Sequence, residues 1–148
     1  MRRFLNENYG IMRHANDSYI GKKVVITKEG QSDCRIVTRR LLGEISCDKV
    51  KIFHSPMERA RLTAEIVRGI FVIYGKGADV VGPFGWLSED TEIKELEDGI
   101  HSNLSEDGNV FTLFITHLPQ VGKYLGYEQD KWRSIPYSAI YSMDSRVT

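Results

Sequence analysis

Apolar positions along the chain alternate between short continuous runs and longer stretches at helical spacing. Residues 9–13 form a short apolar run that ends in charged and turn residues, the pattern of a buried strand. Thr27 is placed to cap a helix over about 28–43, whose apolar face is Cys34, Val37, Leu41 and Ile45 at steps of three and four. Residues 50–53 predict a second strand. Ser55-Pro56 then reads as a helix start, with serine as N-cap and proline at the first helical position, where a missing N–H costs nothing. That helix should bury Ala60, Thr63, Ala64, Val67 and either Ile70 or Phe71. Residues 78–81 predict a third strand, and Ile93, Leu96, Ile100 and Leu104 mark an acidic amphipathic helix. Residues 110–116 are the clearest strand, nearly continuous in apolar character, as in a sheet covered on both faces. Pro119 opens a further helix with Val121 and Leu125 inward, and residues 139–143 predict a last strand. Such alternation implies an α/β three-layer sandwich with a mostly parallel central sheet flanked by helices.

Composition narrows the class. A chain of 148 residues with no repeat or Pro/Ser-rich linker is expected to form one domain, with residues 1–8 as an N-terminal arm. At 41% hydrophobic and 27% charged it is neither disordered nor a membrane protein. Its longest apolar runs, 69–74 and 110–115, fall far short of the ~20 residues that span a bilayer. The first residues lack an apolar signal core, and Cys34 and Cys47 are too few for a disulfide framework. A cytoplasmic monomer is the expectation. Zero net charge argues against a nucleic-acid partner. It conceals an asymmetry, because residues 1–61 carry 13 Lys/Arg against 7 Asp/Glu and the remainder carry 7 against 13. Such halves are suited to docking a charged protein partner, an attraction screened over ~8 Å at physiological ionic strength.

In open α/β sheets ligands sit at the carboxyl ends of the strands, beside helix N-termini. Three predicted strand ends carry chemistry there: Arg13-His14-Ala15, His54-Ser55-Pro56 with Arg59 in the helix that follows, and Thr116-His117-Leu118. Two arginines and two histidines thus converge on one edge. Guanidinium forks match phosphate oxygens, and histidine is an established covalent nucleophile, so the set describes an anion site with a nucleophile. Alternative readings exist. Cys34 and Arg40 have the Cys-x5-Arg spacing of cysteine phosphatases, but the intervening residues hold no glycine and lie in mid-helix. A metal site formed by His14, His54 and His117 is a second, yet two adjacent arginines repel a cation. A module that binds phosphorylated partners without turnover is the third.

The same segments resemble the histidine phosphatase (phosphoglycerate mutase-like) superfamily. Ile-Met-Arg-His-Ala (11–15) is similar to its Arg-His-Gly/Ala signature, and residues 55–67 resemble its Ser-Pro-x-x-Arg-Ala-x-x-Thr-Ala motif. Ile26-Thr27-x-x-Gly30 is similar to the Leu-Thr-x-x-Gly that opens its first helix. Residues 114–122 and 138–142 look closest to the SixA-type phosphohistidine phosphatases, the small branch of that superfamily. The chain departs from the usual pattern at His54, where many members have a small residue, and at Leu62, where glutamine is frequent.

The resemblance implies that His14 attacks phosphorus in line and that water hydrolyses the resulting phosphohistidine enzyme. Arg13 and Arg59 would hold the equatorial oxygens, and His117 would donate a further hydrogen bond. The two arginines should also keep His14 unprotonated, with one of its ring nitrogens held by a backbone carbonyl. Asn16, His54 and Leu118 are candidate substrate-binding residues. Glu89 and Asp90, with Glu92 nearby, are candidate general acids, though no motif selects one. No metal and no organic cofactor is called for. The implied substrate is a phosphorylated protein, specifically a phosphohistidine, with a small phosphate ester as the alternative.

Overall fold

The computed structural model describes residues 8–142. In chain order it contains β1 (Tyr9–Arg13), β2 (Asp17–Ile20), β3 (Lys23–Ile26), α1 (Lys28–Glu44), β4 (Lys49–His54), α2 (Glu58–Ile73), β5 (Gly77–Val81), α3 (Ile93–Ser102), β6 (Val110–Thr116), α4 (Leu118–Leu125) and β7 (Ile140–Tyr141). Five strands form one sheet in the order β5-β4-β6-β1-β7. The first four pair in parallel, and β7 closes the edge antiparallel to β1. The expected architecture is therefore the observed one.

Strand side chains alternate between faces, and each face has its own core. Phe111, Leu113 and Ile115 of β6, Val50 and Ile52 of β4 and Met12 of β1 pack with Cys34 and Leu41 of α1 and Ala60, Ala64, Val67 and Phe71 of α2. On the other face, Phe114, Phe53, Tyr9 and Ile11 pack with Leu96 and Ile100 of α3 and Val121, Tyr124 and Leu125 of α4. All seven residues of β6 are buried, because both faces are covered. The alanines of α2 let that helix lie close against the sheet.

Several boundaries differ from the sequence reading. α2 begins at Glu58 with Met57 as its N-cap, not at Ser55-Pro56. The Ser55 hydroxyl accepts the Met57 N–H at 3.2 Å and also meets His117, so it closes a turn ahead of the helix rather than capping it. Leu104 packs on the core from beyond the end of α3. The last strand is only Ile140–Tyr141, and Met143 lies outside the described residues. So do residues 1–7 of the expected arm, whereas Asn8 is tied down, its carbonyl accepting Thr112 N–H at 2.8 Å.

The β2–β3 hairpin has no counterpart in the expectations. It turns at Gly21, whose φ of +63° suits a primed two-residue turn. It ends at Thr27, which does cap α1, its hydroxyl accepting Gly30 N–H at 2.9 Å. A side chain at Gly30 would meet the Asn16 carbonyl at 2.4 Å, so glycine lets α1 start hard against the loop that follows β1.

Phe114 sits at the centre of an aromatic cluster, with Phe53, Trp86 and Tyr9 centroids at 5.2, 5.7 and 6.3 Å. Phe114→Ala is expected to cost about 3–5 kcal/mol, since the backbone around β6 is held on both sides and cannot collapse into the cavity. The urea-unfolding midpoint measures it.

Candidate active site

Three neighbouring strand ends build the site. The ladder runs on past the strands: His14 N–H donates to Thr116 C=O at 3.0 Å, and Ser55 N–H donates to Ile115 C=O at 3.1 Å. His14, His117 and Ser55 are thereby set side by side at the carboxyl edge of β1, β6 and β4. A pocket of about 260 Å³ opens there, lined by Arg13, His14, Asp17, Arg59, Glu89, His117, Leu118, Pro119 and Tyr137. The larger cleft, about 500 Å³ between α1 and β7, shares only Tyr137 with it and contains neither histidine.

The loop after β1 is anchored to α2 by one hydroxyl. Thr63 accepts the Ala15 N–H at 2.9 Å and donates to the Arg59 carbonyl at 2.7 Å. The threonine of the Thr-Ala pair thus ties the loop of His14 to the turn of Arg59. His14 Nδ1 lies 2.8 Å from the Ala15 carbonyl. A carbonyl can only accept, so Nδ1 carries the proton and Nε2 keeps its lone pair.

Burial is the main cause that holds the His14 pKa below its usual value, with Arg59 and Arg13 adding to it. The arginines act in the expected direction, and burial outweighs them. The Ala15 hydrogen bond and Asp17, 3.9 Å away, act in the opposite direction. His117 is pushed down to about 3 by burial, then by His14 and Arg59. Its ring centroid lies 5.3 Å from that of His14. Its Nε2 meets Ser55 Oγ at 2.7 Å, while Nδ1 is buried without a partner among the described residues.

Arg13 donates to the Ile135 carbonyl at 2.7 Å and lies over the Tyr137 ring at 3.8 Å, two contacts that hold its guanidinium at the pocket wall. Its buried Nε has no partner among the described residues, so donor capacity remains for an anion. Arg59 Nη2 donates to Glu89 at 2.9 Å. Of the three carboxylates considered, Glu89 alone lines the pocket. Asp90 and Glu92 are exposed and lie outside its lining.

Leu118 lines the pocket, but Asn16 and His54 do not. The Asn16 carbonyl is occupied by Thr27, accepting its N–H at 3.0 Å, and His54 Nδ1 turns to the Ser55 carbonyl at 2.8 Å. Cys34 is buried in α1, where burial raises its thiol to about 11, the reverse of what a nucleophile needs. Asp17 and Tyr137 were missed. Asp17 belongs to the unforeseen hairpin, and Tyr137 reaches the site from a loop with no periodic signal, although it directly precedes the 138–142 segment.

A mostly parallel sheet between two helical layers is the phosphoglycerate mutase-like α/β fold. Among solved structures the chain is similar to the protein histidine phosphatase SixA complexed with tungstate, with a TM-score of 0.61 and 21% identity over 95% of this chain and 92% of that one. It is also similar to a protein assigned as phosphohistidine phosphatase SixA from Agrobacterium tumefaciens (TM-score 0.58, 14% identity, 89% and 87% covered). A phosphoglycerate mutase from Plasmodium falciparum shares the fold as well (TM-score 0.51, 19% identity, 95% and 91% covered). No protein-family model matches the sequence, and no curated protein sequence matches it. No helix among the described residues is long and apolar enough to cross a membrane.

Both depressed histidines make stability depend on pH. In the unfolded chain each takes up a proton near ~6.5. Below that pH the unfolded state binds more protons than the native one, so stability is full above it and declines as pH falls toward the lower native values. The urea midpoint is expected to drop between about pH 7 and about pH 5, and His117→Asn, which cannot titrate there, should show a smaller drop.

Proposed function

We propose that this chain is a phosphatase of the histidine phosphatase superfamily, acting on phosphohistidine in a signalling or phosphotransfer protein. The observation that carries the reading is the His14 ring: Nδ1 is committed to Ala15 and Nε2 is unprotonated, in a pocket walled by Arg13 and Arg59. Nε2 attacks phosphorus as the substrate's P–N bond breaks. Water then cleaves the new P–N bond, releasing phosphate and restoring His14. The arginines offset the charge on the transferring group. The similar SixA structure is complexed with tungstate, an oxyanion, which supports an anion-binding reading for this fold.

Leaving-group chemistry supports phosphohistidine over an ester. A phosphorylated imidazole protonated on its far nitrogen leaves as a neutral ring with a conjugate acid near ~6.5. An alkoxide needs a proton donor, because its conjugate acid lies near the ~15.7 of water. The pocket is also small, at about 260 Å³, below the ~300–1,000 Å³ that encloses a typical small ligand. It suits a phosphoryl group whose carrier stays outside. The second reading, a small-molecule phosphomonoesterase, is favoured by Glu89, which reaches the pocket beside Arg59 and, with Asp17, is one of two carboxylates lining it that could protonate an alkoxide.

Phosphate release from a histidine-phosphorylated peptide and from an aryl phosphate ester tests both. Faster turnover of the peptide is expected, with His14→Ala lowering it by roughly 10³-fold or more and Arg59→Ala by roughly 10²-fold or more. Preference for the ester, lost in Glu89→Gln, would establish the phosphomonoesterase. Release from neither, with phosphate still bound, would leave a binding module.

A further inference from the structure

We propose that Ser55 is a positioning residue, whose hydroxyl donates to His117 Nε2 and so keeps the ring proton on Nδ1 of a side chain that lines the pocket. The inference rests on reading the pocket as a phosphoryl site, and it adds what prepares His117 for that role.

The argument counts protons. Ser55 Oγ is fully buried and has two neighbours, Met57 N at 3.2 Å and His117 Nε2 at 2.7 Å. The backbone N–H can only donate, so it uses one lone pair of the hydroxyl. The hydroxyl's single proton then has one acceptor within reach among the described residues, the Nε2 lone pair. In the opposite arrangement Nε2–H would point at Oγ and the serine proton would be buried without a partner. Two protons would then compete for one short contact. Donation from Ser55 resolves this, and a neutral imidazole with an accepting Nε2 must be protonated at Nδ1.

Nδ1 is the ring atom that the fold leaves unspent. It is buried, and no described residue hydrogen-bonds it. In a pocket already holding Arg13 and Arg59, a lone pair there would repel a phosphoryl oxygen, whereas an N–H binds one. Burial also keeps the ring neutral, so its donor character depends on which nitrogen holds the proton rather than on added charge.

The two catalytic-edge histidines are thus set in opposite senses by different partners. The Ala15 carbonyl accepts from Nδ1 of His14 and leaves Nε2 free to attack. The Ser55 hydroxyl donates to Nε2 of His117 and leaves Nδ1–H free to bind. Ser55 achieves this because it stands outside α2: as an N-cap its oxygen would be aimed along the helix instead.

Long-range ¹H–¹⁵N correlation on protein with ¹⁵N-labelled histidine reads the tautomer directly, with His117→Asn identifying the His117 signals. The expected result is Nδ1–H in the wild-type chain, Nε2–H in Ser55→Ala and Nδ1–H again in Ser55→Thr. Titration with inorganic phosphate should show roughly tenfold weaker binding in Ser55→Ala, the loss of one hydrogen bond to a charged group. In a His117→Asn background, where the amide supplies its own N–H, Ser55→Ala should change binding little. An Nε2–H tautomer in the wild-type chain would overturn the proposal even if no variant folds, as would an unchanged tautomer in Ser55→Ala. These spectra do not depend on turnover, so an inactive wild-type chain with Nδ1–H at His117 would refute the phosphatase reading and leave the Ser55 assignment standing.

Discussion

Everything at the candidate site depends on the parallel pairing of β6 with β1 on one side and β4 on the other. Parallel strands end on the same edge, and two backbone hydrogen bonds beyond the strands, His14 to Thr116 and Ser55 to Ile115, carry the register into the loops. A slip of one residue in either pairing would turn a histidine from the pocket into the core. The apolar faces forbid such a slip, because Phe111, Leu113 and Ile115 must face α1 and α2 while Phe114 faces α3 and α4. Core packing is therefore also what aligns the catalytic edge.

A second constraint is the cost of burying polar groups. His14, His117, Ser55 and Thr63 are all buried where strands give way to loops, and an unmatched group there costs ~1–3 kcal/mol. Thr63 meets it by serving Ala15 and Arg59 together. His14 meets it through the next residue's carbonyl, as His54 does at the end of β4. Among the buried groups without a partner in the described residues, Nδ1 of His117 and Nε of Arg13 belong to side chains that line the pocket. Next to the guanidinium groups of Arg13 and Arg59, that unused hydrogen-bonding capacity supports the proposal of an oxyanion site.

Much of this was legible in the residues. β6 was evident because a strand covered on both faces has no polar alternation to confuse it, and the buried face of α2 because alanine, threonine and valine recur at helical steps. Arg13, His14, Arg59 and His117 were legible as a set because each adjoins the end of a recognisable element. The β2–β3 hairpin was not, since its strands are four residues long with a single buried residue between them, and Tyr19 and Ile20 are exposed. Asp17 went with it. The role of Ser55 was misjudged because Ser-Pro satisfies helix-capping preference equally well, and only the long-range contact to His117 draws its hydroxyl elsewhere.

By itself the sequence determined the layers and the chain order of the strands in the main sheet, and it marked Arg13, His14, Arg59 and His117 at the ends of its elements, because periodicity and strand-end position are local properties. Tertiary structure decided what distance and solvent exclusion control. It put Glu89 in the pocket lining and left Asp90, Glu92, Asn16 and His54 out of it, and it brought Tyr137 across from a distant loop to lie against Arg13. It also made burial, more than the arginines, the force that keeps His14 neutral. Each of these is a contact between residues far apart in the chain, and no local pattern encodes how closely two such residues approach.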